Sequence, residues 1–262
     1  TPRSTDRSPD AVRGSRSFDV PRRPFLDARQ VVVVARKSLQ QHARLRQVRH
    51  IRGVEPRDEF RKTRLRNRRL LVRRRDRAAT AAQLPDFLLE RVAEDLADRL
   101  AVVRRTFPRV LDLGAHHGLL GARLRRLPGV ELVVSADLSP AMLARGSGPR
   151  VLVDEEALPF RDGALDLVVS GLSLQHVNDL PGVLAQIRRA LKPDGLLLAS
   201  MLGGATLSEL REAFAAAEDE IEGGASPRVA PFADVRGLGS LLQRAGFALP
   251  VADADTVTVT YA

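Results

Sequence analysis

Val110-Leu111-Asp112-Leu113-Gly114-Ala115-His116-His117-Gly118 is the stretch that decides the fold. Arg109–Leu113 reads as a short buried strand that runs through an acid into a glycine-bearing turn, with a helix from about His117 to Arg126 behind it. Small residues let the backbone approach a ligand closely, and a βα turn delivers that ligand to the carboxyl end of the strand. A turn built for pyrophosphate presents a helix N-terminus to the phosphates. Here Asp112 opens the loop, where a carboxylate repels phosphate and attracts a cationic amine, so the expected ligand has an amino-acid end. A tight turn that holds no ligand is the plainer alternative for this motif taken alone.

Outward from that stretch, strands and helices alternate. Val130–Ala136 reads as a second strand, Arg150–Val153 as a third, Ala164–Ser170 as a fourth and Leu196–Met201 as a fifth. Between them lie a helix starting at Pro140–Arg145 and a longer one over Leu180–Leu191. The longer helix stops at the turn Lys192-Pro193-Asp194-Gly195. Thr206–Glu220 and Phe232–Ala245 read as two more helices, and Val257–Tyr261 as a terminal strand. Before the first strand, Phe87, Leu88, Val92, Leu96, Leu100 and Val103 fall at helical spacing and give one apolar stripe. Apolar strands separated by amphipathic helices predict an α/β fold: a mostly parallel central sheet with helices on both faces.

Two more acids fall in register with Asp112. Asp137 ends the second strand about 20 residues past the loop, where an acid binds ribose hydroxyls. Asp154 ends the third strand inside Asp154-Glu155-Glu156-Ala157-Leu158-Pro159-Phe160. An acid there suits an adenine amino group, with Leu158 or Phe160 near the ring. A single strand-end acid is usually a solvated loop residue; three on successive strands beside a glycine turn point to a nucleoside ligand.

Composition bounds the rest. The chain has 262 residues, 44% apolar, enough for one α/β domain plus further sequence. It has no Cys, which excludes disulfides, a thiol nucleophile and Cys-based metal sites, and no metal is expected. No apolar run reaches the ~20 residues of a membrane helix; the longest, Gln30 through Ala35, is closed by Arg36 and Lys37. The net charge of +10 is unevenly spread. Residues 1–79 hold 24 basic against 8 acidic residues, and the remainder holds 18 against 24. Basic residues are nearly all Arg, with Lys only at 37, 62 and 192, a bias that suggests a GC-rich bacterial coding sequence.

Residues 1–56 show no sustained period and read as a disordered basic extension. They are either a targeting or nucleic-acid-binding arm or an upstream segment with no role of its own. Residues 57–84 read as a basic helical lead-in, which either lies on RNA or an acidic partner or is a solvated helix leading into the domain. Residues 85–262 form the ligand-binding domain, whose C-terminus is expected to lack residues.

Asp112-Leu113-Gly114, Asp137-Leu138-Ser139, Asp154 through Phe160 and Leu191-Lys192-Pro193-Asp194-Gly195 resemble class I S-adenosylmethionine-dependent methyltransferases. The likeness covers residues 85–262. It implies a Rossmann-like fold, S-adenosyl-L-methionine as cofactor, and contacts to it from Asp112, Gly114, His116, Gly118, Asp137, Leu138, Asp154, Glu155 and Leu158. A narrower likeness runs through Arg68-Arg69-Leu70-Leu71, Arg74-Arg75-Asp76-Arg77-Ala78-Ala79, Ser173-Leu174-Gln175, Val177 through Pro181, Gly203 through Leu210 and Ser226-Pro227-Arg228. This set resembles the mitochondrial complex I assembly factors and their alphaproteobacterial relatives. It implies an acceptor on a respiratory complex I subunit, and protein arginine hydroxylation as an alternative to methyl transfer. The middle stretch also resembles the malonyl-acyl carrier protein O-methyltransferases of biotin synthesis. The corresponding location is the bacterial cytoplasm, or the mitochondrial matrix in a eukaryote.

The sequence departs from the family pattern twice. His116 stands where the loop usually has Gly, and its ring is expected either to crowd the cofactor or to turn out to solvent. His176 stands where close relatives often have Trp; it is either a general base or a partly buried loop histidine. Methyl transfer requires little beyond placing the acceptor in line, and a base only where the acceptor must lose a proton. His176 and Gln175, just past the fourth strand, are therefore the catalytic candidates. The acceptor is a small molecule or a protein.

Overall fold

The computed structural model describes residues 27–36, 68–224 and 228–259. Chain order is β1 (Asp27–Arg36), α1 (Arg68–Ala79), α2 (Phe87–Ala101), β2 (Arg109–Leu113), α3 (Leu119–Leu124), β3 (Leu132–Asp137), α4 (Pro140–Arg145) and β4 (Arg150–Leu152). There follow β5 (Leu165–Gly171), a short 3₁₀ turn (Leu174–His176), α5 (Leu180–Ala190), β6 (Leu191–Leu202), α6 (Ser208–Glu222), α7 (Val235–Arg244) and β7 (Ala248–Thr258).

The strands form one sheet in the order β4-β3-β2-β5-β6-β1-β7. β2 through β6 pair in parallel, and β1 pairs antiparallel with both β6 and β7. Alternate residues of the central strands enter two cores. Val110, Leu167, Val169 and Leu198 meet Val92, Leu96, Leu120 and Leu124 of α2 and α3 on one face. Leu111, Val168, Leu197 and Ala199 meet Leu184, Ile187, Leu238 and Leu242 of α5 and α7 on the other. This is the doubly covered sheet the sequence predicts, with strand order reversing between β2 and β5, where α/β folds open a ligand crevice. The Lys192–Gly195 turn is looped out of β6: Leu165 pairs with Leu191 but Leu167 with Leu196. Asp194 takes a positive φ of 68° there.

β1 corrects the reading of residues 1–56 as disordered. Val32 joins one core while Val33 and Ala35 join the other, so these side chains are buried on both faces of the strand. A continuous β-branched run suits such a strand better than an alternating one. Residues 1–26 and 37–67 lie outside the described residues, as do Ser226, Pro227 and Tyr261. The terminal strand begins at Ala248, earlier than expected. It lies at the sheet edge, where its Asp residues remain exposed.

Candidate cofactor and acceptor site

The loop from β2 to α3 is fixed by its backbone. The N–H groups of Gly114 and Ala115 both donate to the Ala136 carbonyl at the end of β3, at 2.8 and 2.9 Å. Gly114 has φ 72°, and a Cβ there would lie 2.1 Å from Cβ and Oγ of Ser173, so only glycine fits. Gly118, at φ 83°, starts α3.

The three strand-end acids differ in their surroundings. Asp137 is buried at the end of β3 and accepts from the backbone N–H of His116 (2.9 Å) and of Ser139 (2.8 Å). Asp154 accepts from the Glu156 N–H at 2.9 Å, and its neighbour Glu155 is buried and accepts from Ser173 Oγ at 2.7 Å. Asp112 is fully buried beneath α3, and no side chain donates to either carboxylate oxygen. A Cβ on Gly121 would sit 2.9 Å from Asp112 Oδ2 and 2.7 Å from Ser135 Oγ, which lacks a partner. Burial pushes the Asp112 carboxyl up to about 7; Asp137 adds to the shift, and the Gly121 backbone and Arg125 oppose it. Leu138 and Leu158 are buried, Leu158 in the core under α5 and α7.

Two arginines missed as site residues complete the cluster. Arg75 of α1 is buried, and its Nη1 lies 2.9 Å from both oxygens of Asp137; its Nη2 donates to Ser173 Oγ at 3.1 Å. Arg68 reaches Asp154 at 2.5 Å, Glu155, and the His176 carbonyl at 3.3 Å. Asp76 accepts from Ser139 Oγ at 2.5 Å. The basic lead-in thus turns two of its arginines inward, onto acids of the domain, while Arg69, Arg73, Arg74 and Arg77 stay exposed. A signal was present: Arg68, Leu71, Val72 and Arg75 stand at i, i+3, i+4 and i+7, one helical face.

Beside these acids is a cavity of about 420 Å³, lined by Arg75, Asp86, His116, His117, Gln175 and His176 together with Leu84, Pro85, Leu88, Leu89 and Met142. His176 and Gln175 are therefore brought to the same cavity as the loop. Gln175 is buried, its Nε2 donating to the Leu172 carbonyl at 2.8 Å. The His116 ring is half-buried and lines this cavity. Its pKa falls to about 3, through burial first and then through Arg75, His117 and His176, partly offset by a hydrogen bond to the Leu172 backbone. His117 Nε2 lies 3.3 Å from Asp86 Oδ2. A wider depression of about 580 Å³, lined by Leu100, Arg105, Phe107 and Val130, lies at the amino ends of β2 and β3, away from all of these groups. Among the described residues, no group of three or more His, Cys, Asp or Glu is placed to hold a metal ion. No helix among them is long and apolar enough to cross a membrane.

A family described as "Methyltransferase domain" matches residues 111–199, the segment from β2 to β6. Human mitochondrial arginine-hydroxylase NDUFAF5 is 44% identical over 181 residues, 67% of this chain and 52% of that protein. The malonyl-[acyl-carrier protein] O-methyltransferase of Halorhodospira halophila is 38% identical over 204 residues, 75% of this chain and 67% of that protein. A solved S-adenosylmethionine-dependent methyltransferase from Mesorhizobium loti covers 60% of this chain and 81% of its own at 24% identity, with a TM-score of 0.46. The chain belongs to the class I S-adenosylmethionine-dependent methyltransferase family. It spans about half the length of the NDUFAF5 relatives it matches.

Proposed function

We propose that the crevice at the carboxyl ends of β2, β3 and β4 binds S-adenosylmethionine, and that the chain transfers its methyl group to an acceptor held in the neighbouring cavity. The observation that carries this reading is the meeting of Asp137, Asp154 and Glu155, from two successive strand ends, with a glycine loop tied to the first of those ends. The residues suit the cofactor. Asp137 matches a ribose diol, and Asp154 or Glu155 an adenine amino group. Asp112 is a buried carboxyl without a side-chain partner near the turn where the cationic amine is expected. When bound, the cofactor supplies an electrophilic methyl group. The protein's part is to orient the acceptor, keep water out with the apolar wall of Leu84, Leu88 and Leu89, and accept a proton at His176 if the acceptor carries one.

Calorimetry with S-adenosylhomocysteine tests the reading. Asp137→Ala should weaken binding by about 1–3 kcal/mol, the cost of leaving polar ligand groups unpaired. Equal affinity in both proteins removes the ribose assignment.

The 44% identity to an arginine-hydroxylase supports a second reading, in which the chain modifies an arginine of a respiratory complex I subunit. The malonyl-acyl carrier protein relatives support O-methylation of an acyl carrier substrate as a third. Mass spectrometry of captured acceptors separates methylation from hydroxylation by a gain of 14 or 16 Da. For a bacterial source these readings place the protein in the cytoplasm, and for a eukaryotic source in the mitochondrial matrix.

A further inference from the structure

The acids that would receive the cofactor are already occupied by the protein's own side chains. A carboxylate offers about four acceptor positions. On Asp137, two take the backbone N–H groups of His116 and Ser139, and Arg75 Nη1 bridges both oxygens. Nothing remains for a pair of ribose hydroxyls while Arg75 is in place. Arg68 Nη2 takes one oxygen each of Asp154 and Glu155, and Ser173 Oγ donates to the other oxygen of Glu155.

The element carrying both arginines is held to the domain by polar contacts, not by a core. Arg75 is the one buried residue of α1, whose outer positions are mostly Arg. Its anchors are Arg68 to Asp154 and Glu155, Arg75 to Asp137 and Ser173, Asp76 to Ser139, and Arg145 Nη1 to the Ala79 carbonyl at 2.8 Å. A 12-residue helix whose inward Leu71 and Val72 are only half-buried is marginal by itself, and such elements open at low free energy.

We propose that α1 is an autoinhibitory clasp, in which Arg75 and Arg68 occupy the cofactor's acids and must withdraw before the nucleoside can bind. The proposal rests on the cofactor reading above. Binding then selects the open clasp, so the observed affinity is the intrinsic one multiplied by the open fraction. A clasp open about a tenth of the time weakens binding about tenfold. Whatever draws α1 off the crevice, such as an acidic surface on the acceptor, raises cofactor affinity by the same route.

The test is amide exchange of residues 68–79 in the full chain with and without S-adenosylhomocysteine, together with calorimetry of the wild type, Arg75→Gln and Arg68→Gln. Exchange at α1 should speed up on binding, and Arg75→Gln should bind about tenfold more tightly. A wild type that does not bind beside an Arg75→Gln protein that does also supports the clasp. Binding that leaves α1 exchange unchanged or slower, with no gain in Arg75→Gln, overturns the clasp and leaves the cofactor reading standing; Arg75 would then hold the ligand. Absence of binding in all three proteins removes the cofactor reading, and the clasp with it. Because the exchange measurement uses the wild type, a variant that fails to fold does not remove the test.

Discussion

Truncating Val32 and Val33 of β1 one at a time and then together measures whether this N-terminal strand belongs to the sheet. Val32 is 2% exposed and packs with α2 and α3; Val33 is 3% exposed and packs with the α5 and α7 core on the opposite face. Each Val→Ala change removes two methyl groups, about 1.6 kcal/mol of transfer free energy at ~0.8 kcal/mol per buried group. A cavity term of about 1 kcal/mol is added where the sheet cannot collapse. Each variant should therefore lose about 2–3 kcal/mol. Because the two side chains touch different cores, the losses should add to about 4–6 kcal/mol. That is much of the ~5–15 kcal/mol that holds a typical domain. Urea denaturation followed by circular dichroism reads the change, with Val251→Ala as control: that side chain is exposed on β7 and should cost under ~0.5 kcal/mol. If both β1 variants match the control, the strand is not in the sheet. If only one is destabilising, the strand is buried on one face and its register differs from the pairing described above.

Other outcomes follow from the site. The carboxyl of Asp112 titrates near 7 in the folded chain against an ordinary value near 3.8, so the folded state holds its proton more tightly. Its contribution is full below about pH 4 and declines as pH rises through 7, by at most about 4 kcal/mol; Asp112→Asn should flatten this slope in denaturation curves run from pH 4 to 8. His116, lowered to about 3, acts in the opposite sense, costing stability as pH falls below its unfolded value near 6.5. Its imidazole carbon shifts should not move between pH 5 and 8, and a midpoint near 6.5 by NMR refutes its burial. His116→Gly relieves a residue held at φ 51° and opens the cavity, so it should tighten S-adenosylhomocysteine binding. Weaker binding would identify the imidazole as a ligand contact. Gly114→Ala forces a Cβ into Ser173 and should cost about 2–4 kcal/mol, read as a fall in urea midpoint.

The parallel half of the sheet was legible because its strands are short apolar runs cut by helices of clear period. Pro140 at N1 of α4 and Asp179 at the cap of α5 fixed two helix starts through local chemistry alone. β1 was not legible. A lone apolar run of four valines fits a buried strand or a buried helix segment equally. Nothing near it in sequence says that a place exists between β6 and β7. Nor was Arg75: a charged residue in a basic helix is normally solvated, and only the two acids folded against it, Asp137 and Glu155, make its burial tolerable. The strand-end acids were found by register. That Asp112 lies beneath α3 while Asp137 carries the backbone contacts depends on where Gly121 and Ser139 stand, which spacing does not encode.

The place of β1 in the sheet sets a timetable for synthesis. Gln30 pairs with Leu202, 172 residues further along, and Val34 with Val251 later still. At ~5–20 residues per second a ribosome needs about 10–40 s to deliver those partners after the valines have emerged. During that interval a β-branched, uncharged tetrad has no native strand beside it, the pattern that seeds intermolecular sheets. Arg29 before the run, and Arg36 and Lys37 after it, are the charges that flank such segments and discourage stacking. Yield in a heterologous host should therefore respond more to slowed growth and chaperone supply than to any change that stabilises the finished fold.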